Sequence, residues 1–291
     1  MNSPALFLAT AAIWGSTWLA ITGQLGLVSP IASVTYRFAM ATVILLAWCR
    51  LRGLPLRFPW RMHLGIAGQG ACLFSLNYLS IYIAEQYVSS GLVAIIFSLQ
   101  AGLNVFGARV LFGAPVAART VFAAVLGVGG VALMFYPEFG LMRNHPEVLK
   151  GIVFGALGTL FASGGNMVAI YNNQRAQVPV WSGAAWGMLY GTALSAIIGV
   201  VTGVEWTFDA RPTYIISLLY LSVFGTIAAF LCYLTLLKRE GAGIASYVNV
   251  VTPVVALLLS TLFENYQWTI IAILGAALAF VGNFLVMRRG R

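Results

Sequence analysis

Charge is what this sequence has least of. Only 8% of its 291 residues are charged against 60% hydrophobic, whereas a water-soluble globule carries about 25% charged residues. Too few polar side chains remain to cover a soluble domain, which excludes that class. Histidine is also scarce: His63 and His145 stand at or near loops, and no H-E-x-x-H, G-x-S-x-G or P-loop pattern occurs. Zinc hydrolases, nucleophile-elbow enzymes and nucleotide-dependent enzymes therefore lack their residues, and no enzyme activity, cofactor or metal is expected. Cysteine is limited to Cys49, Cys72 and Cys232, all inside apolar runs and without C-x-x-C or Cys/His spacing. That gives neither a disulfide framework nor a zinc site, and the three read as small packing residues. The net charge of +9 raises nucleic acid as a partner. The basic residues sit in short loops rather than on one folded stripe, so no nucleic-acid partner is expected.

Apolar length is what the chain has in excess. Ten runs reach the roughly 20 residues that an α-helix needs to cross hydrocarbon: Pro4 to Thr22, Pro30 to Cys49, Met62 to Ile83, Val88 to Leu111, Ala117 to Tyr136, Leu149 to Asn172, Pro179 to Thr202, Pro212 to Leu236, Ala242 to Phe263 and Trp268 to Met287. The first has no basic n-region and no A-x-A-like cleavage site, and it outruns a signal peptide's apolar core, so it reads as a span. Helices rather than barrel strands follow, because strands would alternate polar and apolar over about ten residues. The expected fold is an all-α polytopic membrane protein of ten transmembrane helices, with the lipid bilayer as partner. Twelve lysines and arginines fall in loops on the side of the N-terminus, and Arg143, Lys150 and Arg211 on the other. By the positive-inside rule both termini are expected in the cytoplasm.

Two phrases mark an internal repeat. Leu76-Asn77-Tyr78-Leu79-Ser80 precedes Glu85, and Leu231-Cys232-Tyr233-Leu234-Thr235 precedes Glu240 at the same distance. Residues 1–140 and 148–291 would then form two five-helix halves. Five is odd, so the second half must enter the membrane from the opposite face. Such inverted repeats recur in carriers that bind substrate near the midplane between the halves and expose it alternately to each side.

Mid-span aromatic and amide side chains are the candidate binding residues. Trp14 and Trp18, Tyr78 and Tyr82, and Trp186 and Tyr190 are pairs four residues apart that share a helix face. Tyr233 is the repeat partner of Tyr78, and Gln100, Asn166 and Asn249 supply amides inside spans four, six and nine. Ser75, Tyr78, Tyr82 and Glu85 lie on one stripe of span three. Amides and phenols in lipid are costly without a polar neighbour or water, so these should point inward. Lining a cavity and gluing helices together are both open to each of them. Pro253 frees the carbonyl of Asn249, as a ligand or a hinge. Gly183, Gly187, Gly191, Ser195, Gly199 and Gly203 give span seven a small-residue stripe for packing within the fold or in a homo-oligomer. Arg37 lies roughly 10 Å into span two at ~1.5 Å per residue, placed to snorkel outward or to bind a carboxylate. Glu85, Glu240 and Glu264 fall near span ends, so coupling to protons or sodium has no support.

Ile13-Trp14-Gly15-Ser16, Tyr36-Arg37-Phe38, Thr252-Pro253 and Leu262-Phe263-Glu264 together resemble the scattered signature of the EamA-type drug/metabolite transporters, over nearly the whole chain. Within that family the chain is most similar to the YddG-type aromatic amino-acid exporters. The resemblance implies a carrier in a cell membrane, the bacterial inner membrane being expected. Its small-molecule substrate would be an amino acid, aromatic or large and neutral, or a related metabolite, exported by alternating access through a central cavity. Gln100 stands where the family has proline, and Ala114 where the first-half counterpart of Glu264 would be acidic. The other reading of the same features is a channel or a lipid-handling membrane scaffold.

Overall fold

The computed structural model describes residues 2–113, 118–134, 136, 147–174, 176–233, 235–236 and 248–287. Among them there are helices and no strands. In chain order these are α1 (Ser3–Thr22), α2 (Pro30–Leu51), α3 (Trp60–Ala84), α4 (Ser90–Phe112), α5 (Ala118–Met134), α6 (Glu147–Gln174), α7 (Val180–Val201), α8 (Pro212–Tyr233), α9 (Val248–Phe263) and α10 (Ile270–Met287). The first four, α6, α7 and α8 are long and apolar enough to cross a membrane; Val121–Met134, Val251–Phe263 and Ile270–Gly282 are shorter apolar stretches. Glu240 and the other residues between 237 and 247 lie outside the described residues.

Local signals set the helix starts. Asn2 accepts from the Ala5 N–H at 3.1 Å to cap α1, and Ser29 accepts from Ile31 ahead of Pro30 in α2. Both caps satisfy amide donors that a first turn leaves without partners. Before α8, Asp209 accepts from the Arg211 N–H at 2.9 Å and from its guanidinium at 2.7 Å. That guanidinium bond holds the Asp209 carboxyl below its ordinary range. Two helices depart from α geometry inside the span, α3 over Cys72–Leu76 and α8 over Tyr220–Ala228, where the turns widen to π. α4 breaks at Leu99 between Ser90–Ser98 and Gln100–Phe112.

Packing runs through small residues. α2 lies on α7, α5 on α10, α1 on α9, α4 on α6, and α3 on α6 and α7. A Cβ built on Gly282 would stand 2.9 Å from the Gly127 Cα, and one on Gly130 would stand 2.6 Å from the Gly275 carbonyl oxygen. The backbones of α5 and α10 meet only because these positions lack side chains. The stripe on α7 is used in the same way: Gly187 and Gly191 face Gly70 and Phe74 of α3, and Gly199 faces Trp206 and Ile31. Ser195 Oγ lies 2.8 Å from Ser75 Oγ. Gly187, Gly191, Ser195 and Gly199 are therefore packed inside the chain, the first of the two uses open to the stripe. Large apolar residues such as Val43, Val125, Leu160, Ile197, Ile216 and Ile273 point outward, as helices facing lipid require.

Candidate aromatic and guanidinium site

Arg37 organises the interior. It is 1% exposed, so of the two readings its depth along α2 left open, snorkelling outward does not occur. Its own helix end is covered by the segment after α1 and by the ends of α3 and α8. The guanidinium lies 4.6 Å from the ring centre of Tyr78 and 5.4 Å from that of Phe38. Nη1 and Nη2 donate to Tyr82 Oη and to Thr226 Oγ1, each at 3.5 Å, and Nε has no partner among the described residues. Tyr82, fully buried, donates its hydroxyl to Gln24 Oε1 at 2.6 Å. Helices α2, α3 and α8 thus meet the α1 connection at one polar cluster.

A carboxylate stands at the edge of that cluster. Glu85 follows the last residue of α3, is 7% exposed, and neither of its oxygens has a hydrogen-bond partner among the described residues. Burial first, and the nearby Glu264 charge second, push its carboxyl well above the ordinary range, with Arg37 opposing. Glu264, at the end of α9, instead accepts from the Ser90 hydroxyl at 2.6 Å and its N–H at 3.3 Å, at the start of α4. It therefore caps a helix of the other half of the chain.

The remaining rings surround this cluster in part. Trp18 packs edge-on against Phe97 of α4 at 5.2 Å, and Phe38 against Tyr78 at 4.7 Å. Trp14, one turn along α1 from Trp18, touches Tyr233 and Phe230 of α8 at 5.2 and 5.7 Å. Gly15 beside it allows the close crossing with α9: a Cβ there would stand 3.0 Å from the Thr252 carbonyl oxygen. Ser16 Oγ and Tyr220 Oη are 2.6 Å apart. The motif residues Gly15 and Thr252 thus meet across the two halves.

Of the residues singled out from sequence, Tyr78 and Tyr82 enclose Arg37 and Trp18 shares a core cluster with Tyr82, while Trp14 and Tyr233 pack together in a separate cluster with Leu6 and Leu236. Gln100 and Asn166 are half-buried and make no hydrogen bond among the described residues. The Asn249 side chain lies outside them. Trp186 and Tyr190 do stack on one another, 5.9 Å apart, but at the other end of the bundle. There the indole donates to the Leu56 carbonyl at 3.0 Å, and the phenol meets His63 Nδ1 at 2.8 Å. They hold the α2–α3 connection to α7 rather than join Arg37. A small apolar recess lined by Leu45, Trp181, Met188, Thr226, Ile227 and Phe230 approaches the cluster from that end. Gln24, Thr226 and Phe97 had no distinguishing signal in the sequence. Arg37 had one, since an arginine inside a span is expensive and seldom idle.

Comparison with known proteins adds the family. The family described as "EamA-like transporter family" matches residues 2–136 and, separately, 149–288. The uncharacterized inner membrane transporter YedA of Escherichia coli K12 is 28% identical over 97% of this chain and 91% of its own length. Protein PagO of Salmonella typhimurium is 25% identical over 97% and 91%, and protein PecM of Dickeya dadantii 24% over 94% and 88%. A solved crystal structure shares the fold with a TM-score of 0.67, covering 97% of this chain and 95% of that one at 18% identity.

Proposed function

The chain belongs to the EamA-like transporter family and is a multi-pass membrane transporter, and on that premise we propose that it exports amino acids or related small metabolites by alternating access. Amino acids with aromatic or large neutral side chains are favoured. The observation that carries this reading is that Trp18, Tyr78 and Phe97 belong to one core cluster, and that the buried Arg37, held against the Tyr78 ring, reaches Thr226 of the second half. Rings offer faces for a planar or bulky side chain, and the guanidinium and hydroxyls offer polarity for a head group.

Alternating access here rests on ten spans in two inverted halves. Exchanging α1–α5 with α6–α10 turns the contact of α1 on α9 into that of α6 on α4, and it leaves α2 on α7 and α5 on α10 unchanged, all of which are present. Gly282 stands at the same sequence distance from Gly127 as Tyr233 does from Tyr78, and Gly127 and Gly282 touch where a two-fold axis would pass. The separate family matches to the two halves support the same division. With both termini in the cytoplasm of a bacterial inner membrane, Gln24, Arg37 and Glu85 seal the external end in this conformation. The paired π segments of α3 and α8 give each half a helix whose backbone bonding is already loosened in mid-span.

The test is counterflow in proteoliposomes preloaded with each amino acid in turn. Labelled substrate is expected to accumulate for the aromatic and large neutral members, and Tyr78→Ala and Trp18→Ala are expected to reduce it with folding retained. Ion conductance without any counterflow would replace the carrier with a channel. Topology is checked separately by impermeant thiol labelling of single cysteines placed in the 52–59 and 203–211 connections, which should report opposite sides.

A further inference from the structure

Arg37 carries a charge that no carboxylate among the described residues pairs with. A guanidinium does not lose its proton in a protein, so its burial at 1% exposure is costly unless an anion is supplied. The one ion pair among the described residues is Arg211 with Asp209, in the connection before α8. The two carboxylates nearest the cluster are otherwise committed. Glu264 spends both oxygens on Ser90. Glu85 bonds to none of the described residues, and its burial beside Glu264 favours the neutral acid. The hydrogen bonds that Arg37 does make, to Tyr82 and Thr226, are both at 3.5 Å, the outer edge of hydrogen bonding. Its Nε points at no acceptor.

From this we propose that Arg37 is the carboxylate subsite of the transport path: the substrate's carboxylate docks on the guanidinium edge, displacing the long contacts with Tyr82 and Thr226, while the Tyr78 ring holds the guanidinium face. The proposal rests on the transporter reading above and names the chemical class of its substrate. Three features select a carboxylate monoanion. Stacking on Tyr78 covers one face of the planar group and leaves its edge, the geometry that grips a carboxylate with two parallel hydrogen bonds. The Glu264 charge beside Glu85 disfavours a dianion such as phosphate. The surrounding rings reject a small hydrated inorganic anion, which they cannot solvate. α2, α3 and α8 themselves carry no carboxylate, and Arg50, Arg61 and His63 lie at the opposite ends of α2 and α3.

The experiment compares four compounds of one shape in counterflow by the reconstituted full chain: phenylalanine, 3-phenylpropionate, phenylalaninamide and phenethylamine. The two acids are expected to drive exchange and to raise the melting temperature of the unmodified protein in detergent. The amide and the amine are expected to be about tenfold weaker or worse, the usual scale for losing a charge-assisted pair. Arg37→Gln should abolish the preference for acid over amide. Arg37→Lys, which keeps the charge and loses the fork, should keep part of it. Equal exchange and equal thermal stabilisation by phenylalanine and its amide overturn the subsite while leaving the transporter intact. An acid preference that survives Arg37→Gln overturns it as well. Exchange by none of the four removes the aromatic-substrate reading and the subsite with it.

Discussion

Tyr82→Phe removes one hydroxyl from the most enclosed part of the molecule. That hydroxyl donates to Gln24 Oε1 at 2.6 Å and receives the Arg37 Nη1 contact at 3.5 Å, with Tyr82 itself fully buried. Without it a buried amide oxygen keeps its desolvation cost and loses its partner, about 1–3 kcal/mol; the long Arg37 contact adds little. If Gln24, Tyr82 and Arg37 hold one end shut, that free energy comes off the closed state alone. It corresponds to roughly 5–150-fold in the closed–open equilibrium. Ala84, one residue before Glu85 and fully buried, reports opening when replaced by cysteine in a chain whose Cys49, Cys72 and Cys232 are alanine. An impermeant maleimide should label Ala84→Cys faster in the Tyr82→Phe background, by about that factor. Labelling at the unmodified rate refutes the reasoning. So does a fall in melting temperature with no gain in labelling, since the bond would then support the whole fold rather than closure.

Gly282→Val puts a side chain into the backbone of Gly127 and should lower stability by about 1–3 kcal/mol through overpacking, read as a lower melting temperature in detergent. Gly129→Ala, which meets no atom within 4 Å, should leave that temperature unchanged. Tyr190→Phe breaks the bond with His63 and should cost about 0.5–1.5 kcal/mol, while leaving substrate selectivity untouched because Tyr190 stands apart from Arg37; altered selectivity would return it to the site. For Asp209 the folded-state value is depressed by Arg211, so its stabilisation is full above the unfolded aspartate value near ~3.9. It is lost as pH falls through the lower folded value. The melting difference between the protein and Asp209→Asn should therefore be constant at neutral pH and close on acidification below that range.

Much of the scaffold was legible because hydrocarbon imposes length. The run Pro30 to Cys49 became Pro30–Leu51, and Met62 to Ile83 became Trp60–Ala84, since the caps and prolines that bound these helices are local. What the sequence could not supply was everything set by neighbours. Arg37 was placed by its distance from the end of its own helix, but its exposure is decided by Gln24, Tyr82 and Thr226, which come from other elements. Trp186 and Tyr190 share a face as their spacing requires, yet what that face meets, Leu56 and His63, is a matter of tertiary packing. The break at Leu99 has no glycine or proline to announce it.

The widened turn at Cys72–Leu76 has one more consequence, for orientation. A π turn holds about one residue more than an α turn, so everything beyond it is rotated by roughly 100° relative to the face set by Trp60–Ala71. The stripe read at constant period, Ser75 with Tyr78, Tyr82 and Glu85, is divided there: Ser75 faces α7 through Ser195, while Tyr78 and Tyr82 face α2 through Arg37. The angular setting of both tyrosines, and of Glu85 after them, is thus an offset inherited from a five-residue segment that precedes them.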